Sequence, residues 1–314
     1  MAKKEQAAML GKPKKPWYKR LASQWQLYLM LAPAMLAMII FHYIPMYGIT
    51  IAFKELNPGQ TMFEGQWVGL AQFERLFSSD LFMTTFKNTM VISLVEHFAL
   101  WPLPIVFALL VHNAKSGKIR KLTQTASYLP HLLSIVVVVS IIDLFCNRES
   151  GMINIILEKM GRESIFFQGD PRWFRPMYHI SGIWKSLGSS AVIYIAALSA
   201  VDVQLVEAAT IDGANKLQRM WHIDLPTIRP TVVILLIMNM GKIMAVGYEK
   251  VLLMQNALNL SVSETMSTYV YKMGILGADY SFSAAVSLFN NVVGLIMILA
   301  SNRIAKRVGN ISLF

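Results

Sequence analysis

The chain has 314 residues, 55% hydrophobic and only 15% charged, which excludes a water-soluble globule, because so few polar groups could not cover so much apolar surface. A single cysteine, Cys146, excludes an internal disulfide framework, and histidines at 42, 97, 112, 131, 179 and 222 lack the spacing of metal ligands. The net charge of +11 has to be judged by where it lies along the chain.

In chain order, residues 1–26 form a basic tail carrying Lys3, Lys4, Lys12, Lys14, Lys15, Lys19 and Arg20. No apolar core follows an early basic cluster and no small-residue cleavage site follows the first apolar run, so a retained cytoplasmic N-terminus is predicted and not a signal peptide. Six apolar runs approach the roughly 20 residues of a bilayer crossing: 27–44, 90–111, 122–144, 178–200, 228–246 and 282–299. The predicted class is therefore an all-α membrane protein of six transmembrane helices. It divides into a first helix with an extracytoplasmic cap loop (27–84), a five-helix core (85–304) that includes a cytoplasmic loop at 202–226, and a cytoplasmic tail (305–314).

The connection at 45–85 interleaves Pro45, Pro58, Gly59, Gly65 and Gly69 with Phe63, Trp67, Phe73 and Phe77, which predicts a small cap of turns and an interfacial helix. In 146–177, Gly151 and Gly161 bracket a helical run, and Gly169-Asp170-Pro171-Arg172-Trp173 reads as a turn with an aromatic anchor. Interfacial packing accounts for these aromatics; a receptor surface, with Trp67 or Trp173 stacking on sugar, is the alternative. Pro102 and Pro104 predict a kink in the second span.

Ionisable groups inside spans are costly and face a bundle interior or a watery path. Glu96 and His97 fall early in the second span and Asp143 at the outer end of the third; Asn239 and Lys242 fall in the fifth, where their spacing places them on one helical face. They read either as the lining of a path for a polar solute or as structural pairs, with Lys242 neutralising Glu96 or Asp143.

With the N-terminus inside, seventeen Lys and Arg face five acids on the inner side, whereas eleven basic residues balance eleven acids outside. The basic excess therefore reports membrane orientation and anionic lipid headgroups, and nucleic acid is excluded as a partner. None of the three Gly-Lys pairs stands in a phosphate-cradling loop, and His-Glu-x-x-His, Gly-x-Ser-x-Gly and Cys-x-x-Cys are absent. The chain reads as a non-enzyme with no catalytic residues, no metal site and no cofactor of its own.

The loop at 202–226 is too structured for a connector. Asp202 is placed to cap a short helix from Val203 that carries Leu205, Val206, Ala208 and Ala209, and Gly213 suits the left-handed residue that ends it, with Asp212 bonding to the turn. A second helix is predicted from Ala214 to His222, presenting Leu217, Met220 and Trp221 as one stripe, with Pro226 breaking it before the fifth span.

The pattern Glu207-Ala208-Ala209-x-x-Asp212-Gly213-Ala214-x8-Ile223-x-Leu225-Pro226, set before the penultimate span, resembles the signature of permease subunits of binding-protein-dependent ABC importers. One departure is Met220, where the family usually has Phe. Phe41-His42-Tyr43-Ile44-Pro45-Met46-Tyr47-Gly48, Ser127-Tyr128-Leu129-Pro130-His131, Asp170-Pro171-Arg172-Trp173-Phe174-Arg175-Pro176 and Tyr280-Ser281-Phe282 resemble the polysaccharide-transport subgroup of its maltose-type sugar importers. The resemblance implies the type I ABC importer permease fold with both termini cytoplasmic, in a bacterial plasma membrane. It implies three kinds of partner: a second homologous permease, two cytoplasmic ATPase subunits that hold ATP and Mg, and an extracytoplasmic solute-binding protein. It also implies that the segment around Glu207 to Gly213 couples ATPase closure to alternating access for an oligosaccharide or polysaccharide fragment. The competing readings are an ion-coupled secondary transporter using Glu96 and Asp143, and a scaffold or receptor that moves no solute.

Overall fold

The computed structural model describes residues 23–57, 59–114, 116–309 and 311–313; the seven cations of the basic tail, with Pro58 and Lys115, lie outside the described residues. The chain divides into two compact units, 1–50 and 51–314. The described part of the first is helical: α1 (Trp25–Met38) runs on through a π turn at Ile39–Tyr43 into a 3-10 stretch over Ile44–Phe53, whose last three residues belong to the second unit. No residue of α1 is buried and its sequence is apolar on every side, which suits a surface bathed in lipid. The helix does not end at residue 44 as predicted. Pro45 stands at the start of the 3-10 stretch, where a missing N–H costs little, so the cap loop begins only at Lys54.

The second unit opens with a two-strand antiparallel ladder, β1 (Lys54–Glu55) and β2 (Gln66–Trp67), pairing Lys54 with Trp67. Phe53 stacks on Trp67 with ring centroids 5.6 Å apart and meets Phe73 of α2 (Ala71–Phe77) at the same distance, so these cap aromatics pack on one another. The second span is one continuous 33-residue helix from Asp80 to His112: α3 (Asp80–Leu94), a π turn over Val95–Leu100, and α4 (Pro102–His112). Pro102 and Pro104 cannot donate to the carbonyls of Phe98 and Leu100. The helix relieves this by widening one turn earlier, at Val95–Leu100, and runs on as one helix.

The third expected span is not one helix. α5 (Gly117–Tyr128) and a 3-10 turn over Leu129–Leu132 are bent by 98° from α6 (Ile135–Cys146). Pro130 interrupts the ladder, and Ser134 restarts it by accepting from the amide of Val137 at 3.3 Å. After α7 (Met152–Lys159), the fourth span is α8 (Pro171–Leu198), which begins at Pro171 and not at 178, because Asp170 caps it through the Arg172 amide at 2.9 Å. An 81° bend separates α8 from α9 (Val203–Ile211).

The fifth span also differs from expectation. α10 (Lys216–Arg219), a π turn at Met220–Asp224 and α11 (Leu225–Met240) make one 25-residue helix, so Pro226 does not break it. The widened turn falls where the proline's absent N–H would have been needed. Three short helices follow, α12 (Tyr248–Met254), α13 (Leu260–Ser263) and α14 (Met266–Tyr271), and then α15 (Tyr280–Gly309). Among the described residues four helices are long and apolar enough to cross a membrane alone, and counting each bent pair as one span brings the number up to six.

α8 is the axis of the second unit. Its Ala191, Tyr194 and Leu198 pack with Ile105, Ala108 and Leu109 of α4 and Ile228 of α11. In lipid such contacts gain from close fit more than from escape from water, so small residues at crossings matter. At Gly188 a Cβ would stand 2.3 Å from the Ser127 carbonyl oxygen and 2.7 Å from the Tyr128 amide nitrogen, so α8 meets α5 there backbone to backbone. Gly188→Val should therefore lower the thermal midpoint of the detergent-purified protein, by overpacking of about 1–3 kcal/mol. Gly117→Val, where a Cβ meets nothing, serves as the control in the same thermal-shift measurement.

Candidate functional site

Two features of the second unit are built for function, and α8 joins them. The first is the knuckle that follows it. Asp202 accepts from the Gln204 amide at 2.9 Å, which starts α9 at the predicted place. The helix ends in a Schellman motif: the Ala214 amide donates to the Ala209 carbonyl at 2.9 Å and the Gly213 amide to Thr210 at 3.1 Å. That geometry requires a left-handed residue, and Gly213 has φ of +81°. The second helix starts at Lys216 and not at Ala214, because Asn215 and Gln218 form a reciprocal capping box. Arg219 donates to the Thr210 hydroxyl at 2.7 Å and ties the two helices together.

Glu207, Ala208, Asp212, Gly213 and Pro226 are exposed, while Ala209, Ala214, Ile223 and Leu225 are half-buried. A groove of about 400 Å³ runs between the helices past Ala209, Gly213, Ala214 and His222. Leu217, Met220 and Trp221 do not form the single stripe expected of them. The π turn starting at Met220 rotates it inward against the cluster around Ile105 and Ile228, and leaves Leu217 and Trp221 exposed at 73% and 69%.

The knuckle is braced by residues that sequence reasoning did not single out. Asp224 is 2% exposed and accepts from the Asn113 amide nitrogen at 2.7 Å. Asn113 also donates to the Leu109 carbonyl at 3.1 Å and accepts from Lys216 Nζ at 3.0 Å, so it links the end of α4 to both sides of the π turn. Asp224 stood in plain view inside the Ile223-x-Leu225 signature; its partner lies 111 positions away and nothing in the sequence points to it.

The second feature is a cavity of about 440 Å³ along α8. His179, Gly182, Ser186, Ser190 and Tyr194 of α8 line it, facing Glu96, Trp101 and Pro104 of the second span and Leu235 and Asn239 of α11. Trp101 and Tyr194 meet edge to face at 6.4 Å. Polar groups set among aromatic and apolar walls suit a hydroxyl-rich solute, which offers hydrogen bonds at its rim and C–H faces to rings.

Of the five predicted path residues, Glu96 and Asn239 line this cavity. His97 stands behind it, its ring nitrogens 2.8 Å from the Ser93 carbonyl oxygen and 3.0 Å from that of Asn239, stapling the π turn of the second span to α11. Asp143 and Lys242 are not part of it. Asp143 is exposed at the end of α6, where Gln168 donates to it at 2.8 Å. Lys242 is exposed beyond the end of α11, so the helical face it was to share with Asn239 does not extend that far. Besides its neighbour His97, Glu96 interacts electrostatically with Lys250, a residue the spans did not single out. The α8 stripe of His179, Gly182, Ser186 and Ser190, at steps of three and four, was legible; Lys250, on a short helix after the fifth span, was not.

In the connection before α8, Phe167 and Trp173 meet edge to face at 4.9 Å, and Arg172 clasps Asp170 at 2.7 Å. Those hydrogen bonds hold the Asp170 carboxyl below the usual carboxylate range.

Comparison with known proteins adds three findings. The family model described as binding-protein-dependent transport system inner membrane component matches residues 101–310. The polygalacturonan/rhamnogalacturonan transport system permease protein YteP of Bacillus subtilis (strain 168) is 41% identical over 92% of this chain and 90% of its own. Two solved structures superpose on almost the whole chain. One chain, from a bacterial alginate ABC transporter in complex with an alginate pentasaccharide-bound periplasmic protein, has a TM-score of 0.87 and 35% identity, covering 95% of this chain and 99% of its own. Another, from a bacterial ABC transporter involved in the import of the acidic polysaccharide alginate, has a TM-score of 0.86 and 36% identity, covering 93% and 99%.

The bracing of the knuckle makes its own prediction. Asn113→Leu should destabilise the fold by about 1–3 kcal/mol, because it strands the buried Asp224 carboxylate. Adding Asp224→Asn to the same chain should recover part of that loss in a thermal-unfolding series.

Proposed function

Because this chain belongs to the family of binding-protein-dependent transport system inner membrane components, we propose that it carries an oligosaccharide, or a fragment of a polysaccharide, through the cavity along α8. One observation carries this reading: the two helices that flank the knuckle, α8 and α11, both line the cavity, together with the second span. A displacement of the knuckle therefore has to move opposite cavity walls.

In this mechanism both termini and the knuckle lie in the cytoplasm. α9 and its Gly213 turn seat in a groove of one of two separate ATPase subunits, which hold ATP and Mg; this chain supplies no catalytic group. Glu207 and Asp212 offer polar contacts there, the low surface of Ala208 lets the partner approach closely, and Leu217 and Trp221 extend the apolar part of the contact. Closure of the ATPase pair pushes the knuckle, and a second homologous permease moves in concert, so that the cavity changes from inward-facing to outward-facing. An extracytoplasmic solute-binding protein delivers the sugar. Glu96, Asn239, Ser186 and Ser190 bond its hydroxyls while Trp101 and Tyr194 offer ring faces. His97 and Asn113 position the moving parts. The ion-coupled alternative would use Glu96 and Asp143; Glu96 lines the cavity, but Asp143 stands apart from it at the exposed end of α6, so the two acids are not brought together.

Gly213→Pro tests the coupling. Proline cannot adopt φ of +81° and removes the amide that bonds Thr210, so the turn should be lost while the membrane helices remain. In proteoliposomes holding the assembled importer, the variant should insert normally but lose at least tenfold of sugar uptake per ATP hydrolysed. Wild-type coupling in that variant would sink the mechanism.

A further inference from the structure

The end of the cavity nearest α12 holds more positive charge than its structure uses. Lys250 is only 8% exposed, and its Nζ donates to the Tyr178 carbonyl at 2.5 Å and lies 4.3 Å from the centre of the Tyr178 ring. A Cβ at Gly182 would stand 3.3 Å from that ammonium, so this cavity-lining glycine is the thin place in the wall in front of it. His179, one turn earlier on the same helix, lines the cavity, is 9% exposed, and has both ring nitrogens buried without a hydrogen-bond partner.

Two more cations act on this pair. Arg175 bears on His179, and Lys185 bears on Lys250. Arg175 donates to the neutral Asn88 side chain at 2.8 Å and keeps its Nε buried and unpartnered; Lys185 donates to the backbone carbonyls of His131 and Leu133. Among the described residues the ion pairs are Arg75 with Asp279, Arg172 with Asp170 and Lys272 with Glu264. None of Arg175, Lys185 and Lys250 therefore closes an ion pair. Glu96 acts on Lys250 without reaching it within 4 Å; Arg175 and Lys185 are half-buried, so Lys250 is the cation of the three whose charge is enclosed. Uncompensated charge inside a membrane protein is expensive and is retained where a ligand supplies the opposite sign.

We infer that His179 and Lys250, meeting at the Gly182 window, form a subsite that reads the carboxylate of a uronic acid residue, so that the transported glycan is acidic. This rests on the oligosaccharide reading above. An incoming carboxylate would take a hydrogen bond from the imidazole N–H once the ring turns its buried nitrogens to the cavity, and draw on the ammonium through the wall that lacks a side chain. Arg175 and Lys185 add long-range attraction, and Glu96 is left to accept hydroxyls of the same sugar. A neutral sugar would leave His179 bonded but the excess positive charge unmatched.

The test is equilibrium binding to the assembled, nucleotide-free importer without its solute-binding protein, so that the selectivity of that protein does not enter. The probes are trigalacturonate and its fully methyl-esterified counterpart, followed through tryptophan fluorescence, since Trp101 lines the cavity. The wild type should bind the acid at least tenfold more tightly than the ester. Lys250→Gln and His179→Leu should each lose most of that preference, and Lys250→Arg should keep it. Equal affinity of the wild type for acid and ester overturns the inference and leaves oligosaccharide transport standing. Equal loss of both ligands in Lys250→Gln also overturns it, by making the lysine purely structural. Binding of neither glycan, together with absent uptake of any glycan by the complete importer, overturns both readings.

Discussion

Inside a bilayer no water is available to satisfy a backbone group, so each place where a helix departs from regularity has to be repaired by the protein itself. The second unit is organised around such repairs. At the 98° break between α5 and α6, Lys185 reaches from α8 to the freed carbonyls of His131 and Leu133. Before Pro102 and at Met220–Asp224 the helices widen into π turns in place of breaking, and His97 and Asn113 fasten those turns to their neighbours. Lys250 adds a donor to the Tyr178 carbonyl within the regular part of α8. Of these side chains, His97 and Lys250 stand behind the cavity wall and Asn113 braces the knuckle.

This dual use explains why the ionisable residues inside the spans do not behave alike. Glu96 lines the cavity, whereas His97, its immediate neighbour, spends both ring nitrogens on carbonyls. Lys185 is consumed by a helix break, whereas Lys250 gives up one donor and keeps its charge behind Gly182. A charged residue in a span marks something that matters, but only its partners tell structure from transport.

The arrangement also explains how motion could pass from one end of α8 to the other. α8 has its Asp170 cap at one end, the cavity along its length and the bend into α9 at the other. The knuckle is stiff: two capped helices, a Schellman turn and the Arg219 bond to Thr210 leave little slack. In the proposed mechanism, a push on a stiff knuckle would move α8 and α11 as levers. A soft connector of the same length would absorb it.

The sequence by itself determined the membrane class, the six apolar runs, the helix-turn-helix knuckle with its Asp202 cap and Gly213 turn, and the family. All of these rest on local facts, such as hydropathy over some twenty residues, side chains that cap their own helix, a glycine that alone tolerates positive φ, and a motif at fixed spacing. Local reasoning failed at prolines and at depth. Pro45 and Pro226 read as helix ends, yet both are absorbed, because an N–H that is missing at a helix start or in a π turn costs little. Asp143 and Lys242 read from their distance along a span either as path residues or as structural pairs, and helix ends and bends place them outside the cavity along α8. Only the tertiary structure brought Lys250 to His179 and Asn113 to Asp224, since those meetings join residues 71 and 111 positions apart and depend on how helices cross.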